Sequence, residues 1–197
     1  ITTREFARMI EKAGIKFDRL PDEEFDRVMG EASGAGHIFG ASGGVMEAAL
    51  RTAAEVLTGK ELEKPEFMEV RGTDKGIKEA VYTLAGKTIR VAAVSGLANA
   101  KEILTKVRNG EAQYDFIEVM ACRGGCVTGG GQPYGHNDEL RVKRANALYQ
   151  DDETHEIRCS HQNPLIDKIY KEYFGEPNSE KAHHLLHTHY TKRDLYN

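Results

Sequence analysis

A glycine-rich segment with two cysteines limits the possible folds of this chain more than any other part of its sequence. The segment reads Glu118-Val-Met-Ala-Cys-Arg-Gly-Gly-Cys-Val-Thr-Gly-Gly-Gly-Gln-Pro133. It follows a short apolar run, residues 114–120, that predicts a buried strand. Open α/β sheets bind ligands at the carboxyl ends of their strands, and glycine lets backbone approach a bulky group. A loop that wraps an iron–sulfur cluster needs both properties, and this segment has them.

Spacing alone leaves several interpretations of Cys122 and Cys126 open. A radical-SAM cluster needs a third cysteine where this chain has Gly129. A zinc site with His136 as a third ligand lacks an evident fourth ligand. A disulfide is not expected in a cytosolic protein, and two inert buried thiols in a glycine loop are a further alternative. The complete string is more specific than the spacing.

The composition is that of an ordinary globular domain. The chain has 197 residues, of which 40% are hydrophobic and 29% charged, and this length suggests one domain. A net charge of -4 is too small to indicate binding to nucleic acid or to an anionic membrane. Three cysteines argue against a secreted disulfide scaffold. Because the first residue is Ile rather than Met, we expect the natural N-terminus to be missing.

Hydrophobic periodicity predicts alternating helices and strands, and hence an α/β fold. Thr2 and Glu5 predict a capping box before a first helix. A second helix should follow Gly44 and end near Gly59. Its predicted apolar face comprises Met46, Ala49, Leu50, Ala53 and Leu57. Strands are predicted at residues 67–71, 80–84, 88–94 and 114–120, with a hairpin turn at Ala85-Gly86. Further helices are predicted at residues 97–109, 138–150, 163–174 and 179–189.

The cysteine string resembles the third cysteine motif of the iron-only (FeFe) hydrogenases. Other segments are similar to characteristic stretches of the same family, so that the resemblance covers essentially the whole chain. These segments are residues 2–5, 34–51, 70–72, 76–80, 160–163 and 170–173.

The resemblance implies the fold and its division. We expect one α/β lobe of the FeFe-hydrogenase catalytic domain, a small twisted sheet flanked by helices, with C-terminal helices. Residues 1–150 would be the C-terminal lobe of the large-subunit catalytic domain. Residues 151–197 would be a helical tail similar to the small subunit. That tail is a separate chain in two-chain periplasmic members, whereas here it is fused with no translocation signal between, and we expect a cytoplasmic location.

The resemblance also implies a cofactor and its site. The family's H-cluster is a four-iron (4Fe-4S) cubane joined through one cysteine to a two-iron unit with CO, cyanide and an azadithiolate bridge. On this match Cys122 is a terminal cubane ligand and Cys126 is the bridging cysteine. Met120 faces the two-iron unit. Phe39 and Gly40 match positions that line its pocket.

As part of an FeFe hydrogenase, the chain would serve reversible proton reduction and hydrogen oxidation. The family's two other cluster cysteines and its proton relay lie in segments that this chain lacks, so we expect the chain alone to be inactive. The expected partners are the remaining N-terminal part of the enzyme, ferredoxin or NAD(P)-linked electron-transfer domains, and hydrogenase maturation proteins. We expect neither nucleic acid nor a membrane as a partner.

Two alternatives within the family's relatives stay open. One is a non-catalytic hydrogenase-like iron–sulfur protein, such as an assembly factor, in which the loop usually reads Cys-Pro-Ser-Gly-Cys. This chain instead has Gly124 and Gly125 between its cysteines. The other is a sensory paralogue, which the upstream cysteine motifs would distinguish.

Four further features are assigned ordinary roles. Arg123, where many relatives have proline, is expected to be solvated. Cys159 has no cluster counterpart in the family and is expected to be a structural or surface thiol. The i, i+4 pair His183 and His187 has zinc-binding spacing, but a solvent-facing role is favoured. Residues 34–44 lack the G-x-G-x-x-G spacing of a dinucleotide site.

Overall fold

The structure of the chain is a computed structural model that describes residues 1–23, 26, 30–135 and 137–193. Within these ranges a three-stranded sheet is combined with short helices, which confirms the α/β class. The strands are β1 (Ile77–Leu84), β2 (Lys87–Ser95) and β3 (Phe116–Met120). The α-helices are α1 (Thr3–Lys12), α2 (Gly34–His37), α3 (Gly44–Thr58), α4 (Leu97–Arg108), α5 (Asp138–Thr154), α6 (Pro164–Ile169) and α7 (Glu180–Leu186). Short 3-10 turns occur at Phe17–Arg19, Ile38–Gly40, Met68–Val70, Cys126–Thr128 and Ser160–Gln162.

The sheet has the order β1-β2-β3. β1 and β2 form the predicted antiparallel hairpin, whose turn residues Ala85 and Gly86 both have positive φ. Such turns match the twist of the paired strands. β3 lies on the other side of β2 and runs parallel to it, after a crossover through α4. The carboxyl ends of β2 and β3 therefore meet at one edge, where Ser95 pairs with Met120.

Both faces of the sheet are covered, since β2 is buried from Val91 to Ser95. Helix α3 covers one face and α4 the other. The first core cluster comprises Met46, Leu50, Ala54, Phe67, Val70, Val91 and Ala93. The second comprises Ala92, Val94, Ala100 and Ile103. This layered packing is the usual solution for an α/β domain, and it holds the end of β3 in place.

Helix α5 is attached by a separate core cluster beside α2. Ile38 and Ala41 pack there against Ala145 and Tyr149. The predicted boundary at residues 150 and 151 falls inside α5. The division into a lobe and a tail stays a prediction.

The predicted strand at residues 67–71 is wrong. The chain forms a 3-10 turn there, Met68–Val70. Phe67 and Val70 both enter the core under α3, with exposed fractions of 9% and 0%. Residues three apart share a face in a 3-10 turn, whereas in a strand they point to opposite faces. Burial of both side chains therefore favours the turn.

The predicted apolar face of α3 is wrong in part. Met46 and Leu50 are buried as expected, but Ala49 and Leu57 are exposed. The helix instead buries Ala54 with three charged residues, Glu47, Arg51 and Glu55. The face rotates because the buried charges find partners in α5 and in the segments around it, as described below.

The remaining helix predictions are confirmed with shifted ends. Thr2 and Glu5 form the capping box of α1. Helix α6 continues into a π-helical turn, Tyr170–Phe174, and α7 ends at Leu186, so that His187 is already extended. Among the described helices, none has the length and apolar character needed to cross a membrane.

Candidate iron–sulfur cluster site

The two cysteines of the glycine-rich segment lie in the loop that directly follows β3. Both thiols are exposed and neither is in a disulfide. The loop begins at the edge of the sheet, where the Gly96 amide donates a hydrogen bond of 2.8 Å to the Met120 carbonyl. The arrangement matches the expected ligand-binding end of a strand.

Two glycines give the loop its shape. Gly124 and Gly125 have φ angles of +80° and +101°, which side chains rarely adopt. A Cβ atom on Gly125 would lie 2.6 Å from the Ser42 amide nitrogen. The Ser42 amide donates a 3.0 Å hydrogen bond to the Gly124 carbonyl, and the Gly125 amide donates one of 3.0 Å to the Cys122 carbonyl. The backbone between the two cysteines therefore packs directly on the backbone of residues 40–42, and only glycine fits at position 125.

The second half of the loop is held by two arginines. The Arg4 side chain donates to the carbonyls of Gly130 at 2.6 Å and Gln132 at 2.9 Å, and its amide donates to the Gly131 carbonyl. Arg144 of α5 donates to the Val127 carbonyl at 2.9 Å. These contacts bind backbone and leave the thiols facing outward.

The other predicted site residues lie at different distances from the cysteine loop. Gly40 lies against the cysteine loop, since its carbonyl would be 2.7 Å from a Cβ atom on Gly125. Met120 ends β3, is half-buried, and lies two residues before Cys122 in sequence. Phe39 is 43% exposed and lines an open apolar groove along α3 with Val45. The structure thus brings Gly40 and Met120 to the loop, and places Phe39 at the adjoining surface.

Glu118 of β3 holds the strand that leads into the loop, and sequence reasoning missed this residue. Its side chain is buried, and its two carboxylate oxygens accept hydrogen bonds from the amides of Gly43 at 2.6 Å and Met46 at 2.8 Å. These amides open helix α3, where a negative charge is stabilising. A lone glutamate within the apolar run of β3 was the available signal. Glu118 ties the strand before Cys122 to the start of α3.

Lys78 of β1 is a second missed support. Its ammonium group donates to the carbonyls of Ser42 and Gly72, each at 2.6 Å. Burial lowers the pKa of Lys78 to about 8, although the nearby Glu118 carboxylate favours the charged form. Lys78 therefore fixes the same segment, residues 40–43, on which the cysteine loop packs.

A buried charge network joins α3 to α5. Arg51 is fully buried and binds Asp152 at 2.7 Å with each of two guanidinium nitrogens, and Glu47 at 2.7 Å. Arg71 binds Glu47, and Arg158 binds Asp152 at 2.6 Å. Burial alone lowers the pKa of Arg51, but the two carboxylates outweigh it and raise the pKa. The network keeps every charge paired, which makes its burial tolerable.

The third cysteine differs from the first two. Cys159 is 2% exposed, and its thiol donates to Glu55 at 3.6 Å. Burial, with the Glu55 carboxylate second, raises the pKa of Cys159 to about 12. The thiol therefore stays protonated and unreactive, as expected for a structural cysteine.

The exposed thiols fit an iron–sulfur cluster better than zinc. Cys122 and Cys126 are soft ligands on a preformed loop. Within the described residues, neither belongs to a group of three ligands that could hold one metal ion. His136, the third ligand of the zinc alternative, lies outside the described residues. Two exposed cysteines on one loop leave room for further ligands from outside the loop.

Comparison with known proteins identifies the family. A family model described as iron only hydrogenase large subunit, C-terminal domain, matches residues 1–130. A second model, iron hydrogenase small subunit, matches residues 138–193. The chain therefore belongs to the iron-only hydrogenase family and carries segments similar to both subunits.

Individual relatives agree with this. The NADP-reducing hydrogenase subunit HndD of Solidesulfovibrio fructosivorans is 49% identical over 98% of this chain and 33% of HndD. The FeFe hydrogenase HydA1 of Chlamydomonas reinhardtii has a similar structure, with a TM-score of 0.73 and 44% identity over 96% of this chain and 54% of that one. Cytosolic iron-sulfur assembly component 3 of Rattus norvegicus is 30% identical over 96% of this chain and 40% of that protein. The chain thus spans about a third of HndD and about two fifths of the assembly component.

Proposed function

We propose that this chain forms one lobe of the catalytic domain of an FeFe hydrogenase, an enzyme of reversible proton reduction and hydrogen oxidation. Cys122 and Cys126 are two of the four cysteines of its H-cluster. The observation that carries the proposal is the pair of exposed thiols on a loop whose backbone is held at both ends.

Each site residue has a distinct task in this proposal. Cys122 would be a terminal ligand of the 4Fe-4S cubane, and Cys126 would be the cysteine shared with the two-iron unit. Met120, Phe39 and Gly40 line the pocket beside the loop and exclude water from it. When bound, the H-cluster supplies the iron centre at which protons and electrons combine. The contacts of the loop fix the backbone that carries the two cysteines, so that little backbone ordering would accompany binding.

The rest of the site comes from elsewhere. The N-terminal part of the enzyme would supply the other two cluster cysteines and the proton relay. Ferredoxin or NAD(P)-linked domains would deliver electrons, and maturation proteins would insert the cluster. Residues 1–197 alone would be inactive because two thiolates do not complete a four-cysteine site. A cytoplasmic location stays a prediction.

A second candidate is a non-catalytic iron–sulfur assembly protein, which the similarity to cytosolic iron-sulfur assembly component 3 favours. The loop argues against it. Serine at position 124, as in the usual loop of such relatives, would have to adopt the φ of +80° found for Gly124. A Cβ atom there would also lie 2.5 Å from the Arg141 side chain. The packing of this loop is therefore built for two glycines.

The test removes one ligand at a time from the complete protein. Cys126→Ala, after reconstitution with iron, sulfide and the two-iron unit, should lower hydrogen evolution from reduced viologen by more than about 100-fold, since ligand loss exceeds the cost of losing an outer-shell partner. Cys159→Ser is the matched control, because its hydroxyl can keep the hydrogen bond to Glu55. It should keep activity within about twofold, since its neighbours retain their partner.

Iron analysis completes the experiment. Cys122→Ala should also lower the iron bound per chain, whereas Cys159→Ser should not. An active Cys126→Ala enzyme, or loss of iron confined to the Cys159→Ser variant, would show that the ligands are wrongly assigned. A wild-type protein that binds iron and sulfide but never evolves hydrogen would favour the assembly protein instead.

A further inference from the structure

Two histidines and an aspartate meet where α2 packs on α5. His37 is the last residue of α2, and Asp151 and His155 lie one turn apart at the end of α5. Their ligand atoms all lie within 4.8 Å of one another. The His37 ring nitrogen Nδ1 contacts Oδ2 of Asp151, and Nε2 of His155 lies 3.7 Å from that same oxygen. Three donor atoms thus face one small volume, and none of them belongs to the cysteine loop.

The backbone that carries these side chains is fixed. Ile38, next to His37, is fully buried against α5. The Gly34 amide donates a 2.9 Å hydrogen bond to the Ile157 carbonyl. A Cβ atom on Gly34 would lie 2.3 Å from a carboxylate oxygen of Asp152. Since α2 and α5 cannot separate without breaking these contacts, the three ligands are held together before any ion arrives.

We propose that His37, Asp151 and His155 bind a divalent transition-metal ion, with Zn²⁺ as the physiological one. Two imidazole nitrogens and one carboxylate oxygen are a common set for Zn²⁺, and water takes the fourth position. Mg²⁺ and Ca²⁺ prefer sites made of oxygen ligands alone. The side chains of His37, Asp151 and His155 are 33%, 50% and 28% exposed, so an ion has access to them.

A second cluster, Glu55, Cys159 and His161, is less suited to a metal ion. Oε1 of Glu55 already accepts from the Leu62 amide, and Oε2 accepts from the Gln162 side chain. The Cys159 thiol is buried and protonated, as described above. Binding there would require that these hydrogen bonds to groups outside the cluster break, whereas at the first cluster the ion would replace the contact between His37 and Asp151, which are both ligands.

The ion would join two parts of the chain. His37 lies within the segment matched by the large-subunit model, and Asp151 and His155 lie within the segment matched by the small-subunit model. Bound Zn²⁺ would therefore link the tail to the lobe. It would stabilise the folded state by an amount that grows with the logarithm of the Zn²⁺ concentration divided by the dissociation constant.

The test uses the complete protein with Cys122→Ser and Cys126→Ser, so that those thiols bind no zinc. After treatment with a chelator, Zn²⁺ is titrated against a chromophoric chelator and thermal unfolding is followed in parallel. We expect this site to bind one equivalent of Zn²⁺ per protein chain. The unfolding temperature should rise with the Zn²⁺ concentration. His37→Gln and His155→Gln should each weaken binding by about 10–100-fold or more, since each removes one ligand.

His161→Gln and His183→Gln are the matched controls and should bind Zn²⁺ as the parent does. Asp151→Asn, at a half-exposed side chain, repeats the test should either histidine variant fail to fold. Co²⁺ in place of Zn²⁺ should give the visible spectrum of a tetrahedral nitrogen and oxygen site. Absence of Zn²⁺ binding, binding unchanged in His37→Gln, His155→Gln and Asp151→Asn, or binding lost in His161→Gln instead would overturn the proposal.

Discussion

The interface of α3 with α5 and the surface around the cysteine loop are built in opposite ways. At the interface, Glu47, Arg51 and Asp152 are charged and fully buried. Around the loop, apolar side chains are exposed: Phe39 is 43% exposed and Phe6 of α1 is 51% exposed. None of the described side chains of α1 is buried.

The difference separates what the chain completes by itself from what it leaves to a partner. The buried charges of the α3–α5 interface are all paired within the chain, so this interface needs no further partner. The exposed apolar residues and thiols have no such partners among the described residues, and a patch of this kind marks an interaction surface. Under the proposed function, this is the surface that the remaining part of the enzyme would cover.

A substitution in the α3–α5 interface should lower the free energy of unfolding more than one around the cysteine loop. Arg51→Met removes the central cation of a buried network and leaves Glu47 hydrogen-bonded to Arg71 and Asp152 to Arg158. It should lower the free energy of unfolding by about 3–5 kcal/mol. Lys106→Met is the control, since Lys106 makes an exposed i, i+4 pair with Glu102. It should leave the free energy of unfolding nearly unchanged, because solvent screens an exposed pair. Urea unfolding measures both, and equal losses would show that the network is no stronger than a surface pair.

The loop should depend on one glycine and tolerate change at another. Gly125→Ala places a side chain at a φ of +101° and against the backbone of Ser42. The strain should cost about 1–3 kcal/mol and should lower the iron bound per chain. Gly130→Ala, in the same loop, has no neighbour within 4 Å of its Cβ position and should change neither quantity. Parallel unfolding and iron assays decide, and a harmless Gly125→Ala would mean that the loop is not pre-shaped.

Lys78 should make the free energy of unfolding depend on pH. Its pKa falls from 10.5 to about 8 on folding, because burial disfavours the charge that Glu118, Asp74 and Glu47 favour. The unfolded chain then binds the proton more tightly than the folded one between these two values, so this residue adds stability as pH rises through that window.

The corresponding experiment compares the wild type with Lys78→Met. Between about pH 7 and about pH 9.5, the wild type should gain roughly 2 kcal/mol of unfolding free energy relative to the variant, from the shift of pKa alone. Denaturant unfolding at both pH values measures the difference. If the difference between wild type and variant is the same at both pH values, folding does not lower the pKa of Lys78.

Met120 offers the smallest effect on stability and a selective one on function. Met120→Leu roughly conserves volume at a half-buried position, so it should cost less than about 1.5 kcal/mol. It should alter hydrogen turnover while iron content stays that of the wild type. If turnover is unaffected, Met120 does not line the pocket.

Local patterns in the sequence predicted most of the elements. The hairpin at Ala85-Gly86, helix α4 and the capping box of Thr2 depend on neighbouring residues, and all three are confirmed. The predicted strand at residues 67–71 failed because Phe67 and Val70 are drawn into one core. The face of α3 failed because a Glu–Arg pair at i, i+4 normally faces solvent.

In the candidate site, too, the residues of a local motif were predicted and the distant ones were missed. Its cysteines and glycines were found because they form one continuous motif. Glu118, Lys78, Arg4 and Arg144 were missed because they reach the site across long stretches of chain, and their partners are backbone atoms that carry no sequence signature.

Those long reaches also set the order in which the site can form during synthesis. Arg4 and Gln132 are 128 residues apart, Arg51 and Asp152 are 101 apart, and Gly43 and Glu118 are 75 apart. Closing such loops is slow because chain entropy is lost before the contacts form. The cysteine loop therefore gains all of the contacts described above only after the chain has been synthesised as far as Arg144, which holds the Val127 carbonyl.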